Sequence, residues 1–119
     1  MSNQWSEEKV IRRPPMEVRE ASRHALSKLG WRPSPSSPCA FAAVWTSRLF
    51  HFKDDLSVNL LPEKGGTKVR VKSASRVGRY DFGQNARHVR QFFEELEREL
   101  EMSSQLSVIS YQLSVQTEN

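Results

Sequence analysis

The segment from Lys72 to Asn85, with the sequence KSASRVGRYDFGQN, holds the densest group of residues whose types suit chemistry. Gly78 and Gly83 have the spacing of a phosphate-binding loop. Such a loop requires Lys followed by Ser or Thr directly after its second glycine, and Gln84 with Asn85 stands there instead. The segment therefore predicts no nucleoside triphosphate site.

Basic residues in and after this segment predict an anion site instead. Arg87 and Arg90 fall near the start of the last expected helix, whereas acidic residues crowd the stretch up to Glu101, so the charges oppose the helix dipole. Such a violation indicates a tertiary partner or a functional need. The candidate anion- or partner-binding residues are Ser75, Arg76, Arg79, Arg87 and Arg90.

A purely structural interpretation explains the same residues and stays open beside the first. Asn85 is a good helix N-cap, and Gly78 and Gly83 allow backbone angles that other residues disfavour. Asp54 or Asp55 then pairs with Arg76 across the sheet. On this interpretation Asp54, Asp55, Gly78, Asp81, Gly83 and Asn85 form a structural motif.

The residues that could support catalysis or metal binding lack the necessary spacing. His24, His51 and His88 show no metal-ligand pattern, and Cys39 is a lone thiol without a recognisable partner. The neighbours Asp54 and Asp55 would point to opposite faces of a strand. We predict no catalytic residue, no metal and no cofactor, and we expect His24 and His88 at exposed or boundary positions of helices.

Composition favours one folded domain and leaves little room for other classes. The chain has 119 residues, of which 37% are hydrophobic and 27% charged, with a mean hydropathy of −0.64. No apolar run approaches the roughly 20 residues that cross a bilayer. The first nine residues are polar and acidic, unlike a secretory signal, and the single cysteine rules out an internal disulfide. The predicted location is cytoplasmic.

A net charge of +4 and a pI near 9.6 raise the question of nucleic acid. No run of five like charges supports that interpretation. An RNA-binding sheet face would combine Arg48, Arg70 and Lys72 with stacking aromatic residues, but we expect Phe41 and the two nearby tryptophans, Trp31 and Trp45, in the core.

The elements that must position these residues can be read along the chain. A short strand is expected over residues 9–13, followed by a helix from Pro15 to its stop at Gly30. The Pro- and Ser-rich residues 33–38 predict a loop. Aromatic and β-branched residues predict a strand over 40–52, bent near Ser47.

The second half of the chain predicts a hairpin and a helix. Residues 53–55 suggest a polar turn, and apolar residues then alternate with polar ones on both sides of a turn at 62–66. A helix is expected from about Asn85 to Glu101. The predicted fold is α+β, a small antiparallel sheet with two helices packed on one face, in the order β-α-β-β-β-α.

Three regions are predicted: a flexible N-terminus over 1–7, a single α+β domain over 8–101, and a poorly ordered tail over 102–119. The tail repeats the sequence QLSV after seven residues, and all lysines and arginines of the chain precede it. We expect no function for it.

Two motifs resemble the family catalogued as domain of unknown function 1499. The first is the hairpin motif of Phe52, Asp54 and Asp55. The second leads into the last helix, where Lys72 replaces the usual arginine, and its matching residues are Ser73, Ser75, Arg76, Gly78, Asp81, Gly83 and Asn85. The resemblance covers roughly residues 8–100 and implies a shared fold, without a known activity.

The sequence thus predicts a non-enzymatic binding module whose basic surface, at the last strand-to-helix connection, takes an acidic protein segment or a small anion. One alternative is RNA binding through the basic hairpin face. Another is an enzyme, which requires the fold to bring Asp54, Asp55, Asp81 and His51 together.

Overall fold

Five strands and two helices make up the part of the chain that the computed structural model describes, residues 3–76 and 83–117. The elements are β1 (Gln4–Ile11), α1 (Pro15–Lys28), β2 (Ser34–Ser37), β3 (Ala40–Thr46), β4 (Lys53–Glu63), β5 (Gly66–Ser75) and α2 (Gln84–Thr117). The strands form one antiparallel sheet in the order β1-β5-β4-β3-β2. This confirms the predicted α+β class.

One face of the sheet is apolar and carries both helices, as predicted. Buried and exposed side chains alternate along β3, β4 and β5, because successive residues of a strand point to opposite faces. The core contains Phe41 from β3, Leu56, Val58 and Leu60 from β4, Val69 and Val71 from β5, Val18, Ala25 and Leu26 from α1, and Val89, Phe92, Phe93 and Leu96 from α2. The opposite face of the sheet is open to solvent.

The N-terminal strand is longer than the sequence pattern suggested. β1 begins at Gln4, so most of the segment expected to be flexible pairs with β5. Only Ile11 of β1 packs against the core, while Lys9 lies over the Phe93 ring and pairs with Glu97 at 3.6 Å. Pairing with β5 therefore orders residues 4–11, although few of their side chains are apolar.

Residues 34–37 form the edge strand β2, and the prediction of a loop there was wrong. Proline is tolerated at a sheet edge, where its missing N–H faces away from the ladder. The register shifts between Pro35 and Ser37, which marks a bulge beside the proline. The observed order is therefore β-α-β-β-β-β-α.

The boundary between β3 and β4 also differs from the prediction. β3 ends at Thr46, and residues 47–52 form a loop rather than the continuation of a strand. Residues 53–55, predicted as a turn, start β4 instead. Asp54 and Asp55 pair with Ser75 and Ala74 of β5, and strand pairing thus overrides their low strand propensity.

The last helix begins one residue before the predicted start and runs far past the predicted end. Residues 102–117, expected as a poorly ordered tail, continue α2 to Thr117. No glycine or proline interrupts this stretch, so nothing in its local chemistry ends the helix. Among the α2 side chains that the structure describes, Leu100 is the last that belongs to the core.

Candidate functional site

A cluster of buried polar side chains lies where α2 begins against the sheet. Asp54 at the start of β4 and Ser73 near the end of β5 face the helices, and Asn85 and His88 come from the first turns of α2. All four are less than 5% exposed. We call these four residues the polar cluster.

The distances within the polar cluster show how its members pair. The Ser73 hydroxyl donates to Asn85 Oδ1 at 2.7 Å and lies 3.4 Å from His88 Nδ1. Asp54 Oδ2 is also 3.4 Å from His88 Nδ1. Buried polar groups are costly without partners, so these contacts stabilise the enclosed state.

Asn85 joins three elements at this point. Its Nδ2 donates to the backbone carbonyl of Asn3 at 2.8 Å and to the Ser75 hydroxyl at 3.2 Å. The predicted N-cap role is wrong, because Asn85 is the second residue of α2 and its amide reaches the sheet. The residue ties the start of β1 and the end of β5 to the helix.

His88 packs between two tryptophan rings, and the prediction of an exposed or boundary position was wrong. The centroid of its ring lies 5.3 Å from that of Trp31 and 4.7 Å from that of Trp45. His24, in contrast, is exposed on α1 as expected. The spacing in the sequence could have predicted this burial. His88 precedes Phe92 by four residues and therefore lies on the same core-facing side of the helix.

The polar cluster does not have the arrangement of a nucleophilic relay. A Ser-His-Asp relay uses both ring nitrogens of the histidine, one toward each partner. Here Ser73 and Asp54 both approach His88 Nδ1, and all three side chains are enclosed. These contacts attach α2 to the sheet.

The residues of the enzyme hypothesis lie in different environments. Asp54 is buried under α2, and Asp55 points to the open face of the sheet, as expected for neighbours on a strand. His51 is exposed in the loop after β3. Asp81 lies outside the described residues. Within the described ranges, no three His, Cys, Asp or Glu side chains are grouped closely enough to hold a metal ion.

The predicted anion-binding residues divide into three groups. Ser75 is half-buried and accepts the hydrogen bond from Asn85, while Arg76 is exposed at the end of β5. Arg87 and Arg90 are exposed on the first turns of α2. Arg79, like Gly78, lies outside the described residues.

Arg76 makes a two-pronged ion pair with Asp55. Its Nε donates to Asp55 Oδ2 at 2.9 Å and its Nη2 donates to Oδ1 at 3.0 Å. The hydrogen bonds and the charge of Asp55 raise the pKa of Arg76 above its usual value. One of the two pairings offered from the sequence, Asp55 with Arg76, is thus confirmed.

One half of the dipole argument for an anion site is wrong, namely the placement of the glutamates at the negative end of the helix. Because α2 continues to Thr117, the glutamates between 95 and 101 lie in the middle of the helix and not at its negative end. Glu95 and Glu99 are also paired with Lys28 of α1, at 3.6 and 3.0 Å. Only the arginines near the start of α2 still oppose the dipole.

A groove lies near the Arg76 end of the sheet, and open-face residues of β3, β4 and β5 line it together with Leu29, Trp31 and Trp45 from the edge of the core. Its volume is about 1260 Å³, and Ala42, Val44 and Ala74 are among the small residues that line it. Four cationic side chains line it as well, from the segment after α1, the loop after β3, and β5. We call this the basic groove, and its cations are Arg32, Arg48, Lys72 and Arg76.

Sequence reasoning found only part of the basic groove. Arg76 belonged to the predicted anion site, and Arg48 and Lys72 to the alternative RNA-binding face. Arg32 was missed, because only the chain path after α1 brings it beside β3, and no local pattern reports that path.

Comparison with solved structures places this arrangement in a known class of α+β fold. The chain is similar to a protein of Mesorhizobium loti, with 17% identity and a TM-score of 0.62 over 83% of this chain and 97% of that one. An uncharacterised protein of Rhizobium leguminosarum gives 16% identity and a TM-score of 0.60 over 83% and 94%. CalU16 from Micromonospora echinospora gives 13% and 0.61 over 92% and 82%.

The family is shown by a match over most of the chain. The model for the protein of unknown function DUF1499 matches residues 7–96, and the chain belongs to this family. No curated protein matches it. No helix in the described ranges is long and apolar enough to cross a membrane.

The motif residues that suggested this family have two structural roles here. Asp54, Ser73 and Asn85 lie in the polar cluster, which joins α2 to the sheet. Asp55 and Arg76 form the ion pair on the opposite face. The two motifs therefore meet in space on both sides of the β4–β5 pair.

Proposed function

We propose that this protein is a non-enzymatic binding module that holds an acidic protein segment, or a small anion, in the basic groove. The observation that carries the proposal is the charge balance of the groove lining. It contains four cationic side chains and one carboxylate, Asp55.

The single carboxylate is already engaged. Asp55 accepts the hydrogen bonds from Arg76, so its negative charge does not neutralise Arg32, Arg48 or Lys72. Among the described residues, no carboxylate lies within ion-pair distance of these three side chains. Like charges gathered on one concave surface create a positive potential that attracts anions.

The shape of the groove suits a ligand with several negative groups. Its four cations come from three parts of the chain, namely the segment after α1, the loop after β3, and β5 with the residue that follows it. Arginine binds carboxylates and phosphates in a forked geometry, which favours specific rather than diffuse contact. An extended acidic segment fits this description better than a single small ion, given the volume of about 1260 Å³.

The basic groove shares Arg76 with the anion site predicted at the last strand-to-helix connection. Arg87 and Arg90, the other described arginines of that predicted site, lie at the positive end of α2 and do not line the groove. The Ser75 hydroxyl accepts a hydrogen bond from Asn85, and its O–H remains the group that would donate to an anion in the proposal. A cytoplasmic location is the part of the sequence prediction that goes with such a module.

The RNA alternative has less support. Arg70 pairs with Glu8, and Lys68 pairs with Glu63, which neutralises much of the hairpin face. Trp31 and Phe41 are buried in the core and present no ring for base stacking, whereas Trp45 is half-buried and lines the basic groove together with Arg48 and Lys72.

A binding titration tests the proposal. The probe is a short oligoglutamate peptide, with inorganic phosphate as the small anion, followed by calorimetry at low salt. Arg48→Glu and Lys72→Glu together should weaken peptide binding by about tenfold or more, because each reversal replaces attraction by repulsion. Lys64→Glu in the turn between β4 and β5, combined with Arg23→Glu on α1, makes the same change in net charge outside the groove and should bind like the wild type.

Equal losses in the groove variant and the control would contradict the proposal, since net charge alone would then explain binding. The same titration with oligouridine separates the alternatives. Tighter binding of oligouridine than of the peptide, with loss in the same groove variant, would favour RNA.

A further inference from the structure

The loop between β3 and β4 displays a cluster of large apolar side chains to solvent. Leu49 is 77% exposed, Phe50 67% and Phe52 37%. We call these three residues the apolar tip. They lie in the loop at the end of the sheet, and none of them lines the basic groove.

The loop is held in this form by its own hydrogen bonds. The backbone N–H of Ser47 donates to the Phe52 carbonyl at 2.8 Å, and the Phe52 N–H donates to the Ser47 hydroxyl at 2.9 Å. His51 adopts a positive φ of 56°, which closes the turn. The rings of Phe50 and Phe52 stack with centroids 5.5 Å apart.

Ordered presentation of apolar groups to water is unfavourable, and it points to a surface that covers them. The charges around the apolar tip indicate which surface. Arg48 and Lys53 flank it and are exposed, and the loop from residue 47 to 52 contains no acid. The next carboxylates are Asp54, which is buried, and Asp55, which is bound to Arg76.

We propose that the apolar tip inserts into the interfacial region of an anionic lipid bilayer while Arg48 and Lys53 contact the headgroup phosphates. Apolar side chains beside cations are the combination that peripheral proteins use to lie on membranes. The interfacial region of a bilayer is fluid and can accept the exposed side chains of the apolar tip without a preformed pocket. A protein partner would have to supply a matching cavity. This inference does not require the basic groove to hold a ligand, although Arg48 belongs to both surfaces.

Co-sedimentation with vesicles tests the inference. The wild-type chain should bind phosphatidylcholine vesicles that contain phosphatidylglycerol and bind pure phosphatidylcholine much more weakly. Leu49→Ser and Phe50→Ser together should reduce binding by about tenfold or more, because two large side chains no longer leave water. Met16→Ser is the matched control: Met16 is 80% exposed on α1, away from the tip.

A second readout separates insertion from simple adsorption. Phe50→Trp places a fluorophore on the apolar tip, and brominated lipids in the bilayer should quench it beyond the quenching seen in the wild type. Binding that salt abolishes but that the Leu49 and Phe50 variant retains would overturn the inference, as would no binding at all.

The two proposals fail in different ways. Loss of oligoglutamate binding with intact vesicle binding contradicts the groove alone. Intact oligoglutamate binding in a protein that ignores anionic vesicles contradicts the membrane inference alone. Lys72→Glu, which changes the groove and not the tip, should affect the first assay more than the second.

Discussion

At the residue scale, the hydroxyl of Ser73 is the centre of the polar cluster. It donates to Asn85 and stands beside His88, and all three residues are buried. Removing a buried donor leaves its acceptor unsatisfied, which costs more than the bond itself contributes.

Ser73→Ala should therefore lower the free energy of unfolding by about 1–3 kcal/mol. Ser57→Ala, on the open face of β4, is the control and should change it by less than about 0.5 kcal/mol. Urea denaturation measures both. Equal stability of the two variants would mean that Asn85 finds another donor and that Ser73 does not organise the cluster.

The sequence predicted some of these residues and missed others for a physical reason. Alternation along a strand correctly separated Asp54 from Asp55, but the sequence offered either one as the partner of Arg76, and the structure selects Asp55. Nothing local distinguished Asn85 as a cap from Asn85 as a link to the sheet, because both roles place an amide at the start of a helix. That choice depends on Asn3 and Ser75, which come from distant parts of the chain.

At the element scale, Lys28 joins the end of α1 to the middle of α2. Its ammonium group lies 3.0 Å from Glu99 and 3.6 Å from Glu95, whose carboxylates are mostly buried. The hydrogen bond to Glu99 and the charge of that residue raise the pKa of Lys28 above its ordinary value.

A raised pKa means that the folded state holds this proton more tightly than the unfolded chain does. The stabilisation is complete below the unfolded pKa, about 10.4, and is lost as the pH rises through the higher folded value. Lys28→Gln should therefore be less stable than the wild type at neutral pH, and the difference should shrink in strongly alkaline solution. Urea denaturation across this range measures it, and Lys64→Gln, which should show no such trend, is the control.

Element prediction succeeded where the side-chain pattern and the local end signals agreed. α1 begins at Pro15 and ends before Gly30, as the proline, the apolar spacing and the glycine indicated. It failed for β2 and for the start of β4, whose Ser, Pro and Asp residues disfavour strands. Their neighbours in the sheet supply the pairing, and local propensity does not contain that information.

At the scale of the whole molecule, β1 and β5, the first and last strands of the sheet along the chain, are in close contact at Gly66. β1 pairs with β5, and a Cβ atom added at Gly66 would overlap the carbonyl oxygen of Ile11 and lie 3.0 Å from the Cα atom of Arg12. Both are backbone atoms, so the end of β1 would have to move away.

Gly66→Ala should lower the free energy of unfolding by about 1–3 kcal/mol because it forces this displacement. The effect should be local. Hydrogen exchange should speed up at the amides of β1 more than at those of β3, which is separated from β1 by the two strands β5 and β4. Uniform acceleration over the whole sheet would contradict this explanation.

The position of β1 beside β5 also bears on how the chain is made. Arg70 of β5 binds Glu8 of β1 across a separation of 62 residues, so the ribosome releases the first strand long before its neighbour exists. During that interval the backbone groups of the nascent strand form hydrogen bonds with water, with other chains or with chaperones. Completion of the sheet then requires the chain to close a long loop between β1 and β5, which slows folding. If translation stops before β5, β1 has no strand to pair with.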